Sequence, residues 1–331
     1  MAFNPARYQS MPYRRCGRSG LLLPAISLGL WQGTGSYADD EVSKRIVFTA
    51  FDHGITHFDL ANNYGNPAGA SEELFGRIVK EMPRHELVVA TKAGHRMHTW
   101  PGPYGEWGSR KYLIESCEHS LKRLGLDHVD IFYSHRLDTE TPLEETMGAL
   151  ETLVRQGKAL YAGISSYPDP WFTRAVAIMR AKSWAPITIH QPSYSMLNRA
   201  PEREVLPTAA YEGVGVIGFS PLAQGLLTDK YLNGIPADSR AAANQGNGGI
   251  TASRITPELV AKVGQLNQVA QARGQTLAQM ALAWLLKDAR MTSVLIGASK
   301  PEQVTDCVGC LKNLAFAPAE LEAIERILAQ P

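Results

Sequence analysis

Residues 109–135 read SRKYLIESCEHSLKRLGLDHVDIFYSH, and the fold class turns on them. The first part is amphipathic at helical spacing, opening on Ser109, a good N-cap, and closing on Gly125, a good C′ residue. The second part, VDIFYS, is an almost unbroken apolar run of strand length that ends on an ionisable residue, His135. A strand without alternation is buried on both faces, and a helix leading into it makes a parallel crossover.

The same pairing recurs along the chain. Strand-like runs are AISLGL (25–30), THFDLA (56–61), LVVATK (87–92), VDIFYSH (129–135), ALYAGISS (159–166), ITIHQ (187–191), VGVIGFS (214–220) and SVLIGA (293–298). Helix-like segments such as DEVSKRIVFTAFDHG (40–54) and PLEETMGALETLVRQGK (142–158) lie between them. Eight units over about 270 residues predict a closed (β/α)8 TIM barrel, whose usual size is about 250 residues. An open doubly wound sheet would want GxGxxG after an early strand, and GLWQGTG (29–35) has the wrong spacing. YRRCGRSGLLLP (13–24) predicts an N-terminal β-hairpin plugging the barrel's bottom, and residues 318–328 a C-terminal helix. Residues 1–331 then form one barrel domain. The stretch Leu232 to Ile255, with NQGNGG inside it, reads as a long mobile loop.

Composition narrows the function. With 33 basic and 32 acidic residues the formal net charge is +1, which gives no electrostatic case for nucleic acid or an anionic membrane. No apolar run approaches the roughly 18 residues of a membrane span. The first 17 residues lack a signal peptide's apolar core, so the expectation is a cytoplasmic protein. CVGC (307–310) has no second pair and HRMH (95–98) lacks the Glu of HExxH, so neither predicts a metal site.

In such a barrel the C-terminal ends of the strands share one mouth. Asp59, Lys92 and His135 each end an apolar run on neighbouring strands, and Tyr64 hangs just past the first. Burying Lys or Asp alone is costly, whereas as a pair each offsets the other's desolvation. An ammonium beside Tyr64 is expected to lower its pKa from about 10. Asp59 would orient Lys92, and His135 would hydrogen-bond a substrate carbonyl. The group is suited to protonating an oxygen as charge develops on it, with the electron pair coming from a carried cofactor as hydride.

DLANNYG (59–65), TKAG (91–94), SLKRLGLDHVDIFYSHR (120–136), GISS (163–166), IHQPSY (189–194) and FSPLAQGLLTDKY (219–231) together resemble the aldo-keto reductases. The resemblance runs from about Tyr13 to about Ala329. It points to the branch holding the bacterial L-glyceraldehyde 3-phosphate reductases and the potassium channel β subunits. It implies a TIM barrel binding NADPH across its mouth, with Asp59, Tyr64, Lys92 and His135 as the catalytic tetrad. Ser165 and Gln191 match the residues that hold the nicotinamide carboxamide, and Phe219 the aromatic on which the ring stacks. Ser220, Leu222 and Gly225 would line the pyrophosphate, with Lys230 and Arg240 reaching over it. Gly297, Ser299 and Gln303 match the 2′-phosphate end, near a helix N-terminus suited to anions. Trp31 would frame the cofactor and substrate pocket, with Trp100, Tyr104 and Trp107 either an aromatic wall or a packed surface loop.

Two positions depart from the family pattern. Ser166 stands where Asn is frequent, and Asp306-Cys307 where Glu-Asn is, which predicts a weaker hold on adenine. The implied function is NADPH-dependent reduction of small aldehydes, such as L-glyceraldehyde 3-phosphate or methylglyoxal, by a homo-oligomer of the kind frequent in this branch. Two other readings stay open: a cofactor-sensing regulatory subunit of the channel β type, and a metal-dependent barrel hydrolase.

Overall fold

A computed structural model describes residues 3–31, 34–36, 38–243 and 249–330. Ten strands order them: β1 Tyr13–Arg15, β2 Leu22–Pro24, β3 Ile26–Gly29, β4 His57–Asp59, β5 Val88–Ala93, β6 Val129–Ser134, β7 Ala159–Ser165, β8 Ile187–Gln191, β9 Gly215–Phe219 and β10 Met291–Ile296. β3 to β10 form a closed, all-parallel barrel in the cyclic order β10-β3-β4-β5-β6-β7-β8-β9. Closure comes from β10, which pairs Val294 with Ile26 of β3 and Leu295 with Phe219 of β9. This is the (β/α)8 barrel expected from the eight apolar runs, each of which carries one barrel strand.

The opening stretch folds as its residues dictate. Ser109 Oγ accepts the Tyr112 N–H at 3.2 Å and starts the helix Arg110–Leu124. Gly125, at φ +64°, ends it in the left-handed conformation. Every residue of β6 is buried. One side of that strand faces the helices and the other fills the barrel, where Ala90, Ile131, Tyr133, Ile189, Ile217 and Leu295 make an inner core. Gly163 makes room for Tyr133: a Cβ there would lie 2.5 Å from the ring.

The N-terminal hairpin pairs β1 with β2 antiparallel, Arg14 opposite Leu23. Its Cys16, Leu21 and Leu23 join the inner core. Arg14 donates to the carbonyls of Met291 (2.9 Å) and Leu286 (3.0 Å), and the Arg18 N–H to Gly213 O (2.9 Å). These contacts lie where β9 and β10 begin, so the hairpin plugs the barrel's N-terminal end and leaves the other end as the mouth. The C-terminal helix Pro318–Leu328 buries Ile324 and Ile327. No helix among the described residues is long and apolar enough to cross a membrane.

The 232–255 stretch departs from expectation. Residues 244–248, most of NQGNGG, lie outside the described residues. The rest is anchored: Ala241 and Ile250 are buried with Leu226 and Tyr231 in a small cluster of their own, and Arg240–Ala243 is helical. Two apolar side chains flanking the polar run supply that anchor.

Candidate active site

Lys92 sits fully buried at the mouth end of β5, opposite Tyr133 of β6. Its Nζ donates to Asp59 Oδ2, to Leu60 O at 2.7 Å and to Tyr64 Oη at 3.4 Å. Asp59, equally buried at the end of β4, accepts from Gln191 Nε2 through its other oxygen at 3.1 Å. The Gln191 carbonyl in turn accepts Ser165 Oγ–H (2.9 Å) and the Ser166 N–H (3.1 Å). Two strand ends on one side of the barrel, β4 and β5, and two from across it, β7 and β8, are thus joined by hydrogen bonds.

Tyr64 reaches this group because the chain after Asp59 keeps pairing with β5. Leu60 N–H donates to Ala90 O (2.8 Å) and Asn62 N–H to Lys92 O (2.9 Å), before a turn brings Tyr64 N–H onto Ala61 O (3.1 Å). Tyr64 and His135 are half-buried, their rings meeting edge to face with centroids 5.8 Å apart. Trp31 flanks Tyr64 on its own side at 6.3 Å.

The protonation states follow from burial and neighbours. Burial works against the Lys92 ammonium, but Asp59 and Tyr64 outweigh it and hold the pKa above its usual value. For Tyr64 the balance differs from the sequence expectation. Burial raises the phenol pKa by more than Lys92 lowers it, so the net shift is upward. Tyr64 is therefore held as a neutral phenol carrying its proton. His135 is pushed well below the usual imidazole value, by burial first and then by Lys92, His95 and Arg136. It is a neutral ring that can donate one hydrogen bond.

Across the mouth, half-buried Phe219 ends β9 and a tight loop follows it. Ser220 (φ +53°), Ala223 (+47°), Gln224 (+61°) and Gly225 (+97°) all take positive φ within six residues. The N–H groups of Ala223 and Gly225 donate to the carbonyls of Ser220 and Leu222, both at 2.9 Å, and fix this tight turn. Arg240 braces it by donating to Gln224 O at 3.1 Å, and Gln224 Oε1 is buried with no partner among the described residues. Leu222 lies within the loop, and Lys230 stands exposed beyond it, near Tyr231. After β10, Gly297 and Ser299 are exposed, and Gln303 Oε1 accepts both the N–H (2.7 Å) and the hydroxyl (3.2 Å) of Ser299 at the start of the helix Pro301–Val308.

Two side chains fall elsewhere than the sequence suggests. Cys307 is buried in the main core, its thiol pushed up to about 12 by burial and then by Asp306. Asp306 instead accepts hydrogen bonds from Thr276 and Gln279. Cys307 thus turns its thiol into the core, and Asp306 is held by side chains of the neighbouring helix. Of the aromatic loop, Trp100 packs on Tyr112 and His119 of the helix Arg110–Leu124, and Tyr104 is exposed beside Lys111. Trp107, exposed, stacks on Arg136 at 3.9 Å. The loop is packed surface, tied to the segment that carries His135 by Trp107, by Glu106 on Arg136 and by the Gly108 N–H on Asp138.

Sequence reasoning also missed residues. His95 packs edge to face on His135, centroids 4.5 Å apart. Asn62 Nδ2 donates to Tyr112 Oη (3.0 Å), whose hydroxyl donates to His95 O (2.6 Å), tying the loop after β4 to the loop after β5. The available signal was position: His95 follows three residues after Lys92, at the same strand end. Lys300, exposed beside Ser299, is a further unassigned cation at that helix start.

The model of the aldo/keto reductase family matches residues 25–329. L-glyceraldehyde 3-phosphate reductase of Escherichia coli K12 is 54% identical over 333 residues, covering 98% of this chain and 95% of the relative. A probable voltage-gated potassium channel subunit beta of Arabidopsis thaliana is 36% identical, covering 96% of this chain and 97% of the relative. A putative subunit of the same description from Schizosaccharomyces pombe is also 36% identical, covering 97% and 94%.

Proposed function

This chain belongs to the aldo/keto reductase family, and from that premise we propose that it reduces small aldehydes to alcohols with NADPH, Tyr64 delivering the proton. The observation that carries this reading is the buried Lys92–Asp59 pair, with Lys92 Nζ 3.4 Å from the phenolic oxygen of Tyr64. Identity to the E. coli reductase, 54% against 36% for the plant channel subunit, favours catalysis over a regulatory binding role. The same relative makes L-glyceraldehyde 3-phosphate the first substrate to try, with methylglyoxal next.

The chain's own atoms fit a dinucleotide. The tight turn at Ser220–Gly225 would bring its backbone close to a pyrophosphate, and Gln224 Oε1, buried without a partner among the described residues, suits a hydroxyl donor. Phe219 offers an aromatic face, and Ser165 and Gln191 offer an amide-binding edge. Trp31 closes the pocket beside Tyr64. Ser299 and Gln303, with Leu222, Lys230, Arg240 and Gly297, would hold the pyrophosphate and the 2′-phosphate. NADPH, when bound, supplies the hydride.

The protein's part is proton delivery and positioning. His135, neutral, donates a hydrogen bond to the substrate carbonyl and fixes it beside Tyr64. As negative charge grows on that oxygen, Tyr64 passes its proton across. Lys92 lies against the phenolate that results, and its charge offsets the burial that otherwise disfavours it. Asp59 keeps Lys92 charged and aimed, and Gln191 keeps Asp59 in place. Catalysis thus does not require a phenol acidic at rest.

On this reading residues 1–331 form one barrel domain working in the cytoplasm, consistent with four unpaired, buried cysteines. The test is loss of NADPH absorbance on adding L-glyceraldehyde 3-phosphate, glyceraldehyde or methylglyoxal, with light scattering to size the proposed homo-oligomer. Cofactor binding without turnover of any aldehyde would favour the regulatory role instead.

A further inference from the structure

Resting on the aldehyde-reductase reading, we propose that His95 is a substrate-contact residue that recognises a hydroxyl on the carbon next to the aldehyde, making 2-hydroxyaldehydes the preferred class. Trp31, Tyr64, His135 and His95 form a continuous arc of rings, with centroid separations of 6.3, 5.8 and 4.5 Å along it. A carbonyl held between Tyr64 and His135 has the next carbon's substituents facing one or other end of that arc. One end is Trp31, largely apolar. The other is His95, half-buried, with its ring edge to face on His135.

The chemistry of His95 suits an alcohol. Burial, then Arg136, brings its pKa down to about 4, so at neutral pH it is an uncharged ring with one donor and one acceptor nitrogen. A hydroxyl has the same two capacities. A dianionic group would want a cation, and Arg136, next to His135, is already engaged by Glu106, by Gly94 O at 3.1 Å and by the Trp107 ring. The His95 backbone is also fixed for the task. Its carbonyl accepts Tyr112 Oη–H at 2.6 Å, and Asn62 holds that tyrosine from the loop preceding Tyr64. The ring is thus set by the segments that set the proposed acid. Nothing in proton delivery requires it.

The test uses two aldehydes of one skeleton, 2-hydroxypropanal and propanal, with the wild-type protein and His95→Phe, which keeps a ring against His135 and removes both nitrogens. The expected result is a fall of about ten- to a hundredfold in kcat/KM for 2-hydroxypropanal, the size of one lost hydrogen bond with a buried partner. Propanal should stay within about threefold, and His95→Gln should recover part of the loss. Binding of the unreactive 2-hydroxypropanamide and propanamide gives a readout independent of turnover: the wild type should bind the hydroxyamide more tightly and His95→Phe should bind both alike. An equal fall for both aldehydes would make His95 a packing partner of His135 and overturn the proposal, as would no change in either. Failure of the wild type to reduce any aldehyde overturns the parent reading, and this one with it.

Discussion

Replacing Lys92 by Met is the sharpest perturbation of the buried pair. Lys92 is fully buried and its Nζ makes three hydrogen bonds, to Asp59, Leu60 O and Tyr64. Methionine matches the stem in length, so little cavity remains and the loss is electrostatic. Asp59 would keep only Gln191 Nε2 at 3.1 Å and become a buried carboxylate without countercharge. Breaking such a pair from one side costs roughly 3–5 kcal/mol. At about 2 °C per kcal/mol for a chain of this size, the melting midpoint should drop by about 6–10 °C at neutral pH. Adding Asp59→Asn to Lys92→Met should recover most of the stability and none of the turnover, because a neutral amide needs no countercharge. Scanning calorimetry at neutral pH measures both variants. A Lys92→Met protein as stable as the wild type, or a double variant as unstable as the single one, would refute the reasoning.

Other outcomes follow from the same geometry. NADPH should bind at least about tenfold tighter than NADH, the worth of a charge-assisted hydrogen bond near Ser299, with the preference shrinking at high salt; equal dissociation constants by tryptophan quenching would remove those residues from a 2′-phosphate role. His57 and His190 are held by burial at about 4 and about 3. Depressed values of this kind give stability that is complete above the unfolded value near 6.5 and is lost as pH falls towards the folded ones. The thermal midpoint should therefore decline between pH 6.5 and 4, and a flat profile would contradict the buried neutral rings. Gly163→Ala should destabilise by about 1–3 kcal/mol, because its Cβ would meet the Tyr133 ring at 2.5 Å. Urea denaturation reads the shift, and a neutral result would mean that Tyr133 moves freely within the barrel.

The barrel was legible because strands buried on both faces have no reason to alternate, so each appears as an apolar run, and an ionisable residue ending such a run stands out. Asp59, Lys92 and His135 were visible for that reason, and the structure brings them together with Tyr64. The hairpin and the final helix were legible as the segments left over on either side of the eight units. What the sequence hid depends on tertiary surroundings. The sign of the Tyr64 shift is a contest between burial and one ammonium, and burial cannot be read along a chain. The burial of Cys307 could have been read from spacing, since Val304 and Cys307, three apart on one helix, lie on one face. His95 escaped because it was weighed as a metal ligand, whereas its neighbour across space, His135, comes forty residues later.

The central claim is that Tyr64 delivers the proton in aldehyde reduction. Its most direct test is NADPH consumption with L-glyceraldehyde 3-phosphate by the wild type and by Tyr64→Phe, side by side, with cofactor affinity measured on both. Phenylalanine keeps the ring against Trp31 and His135 and removes only the transferable proton. The expected result is turnover lower by at least ~10²-fold, with cofactor affinity unchanged. A Tyr64→Phe protein that retains more than about a third of wild-type turnover, well above any general-acid loss, would contradict the claim.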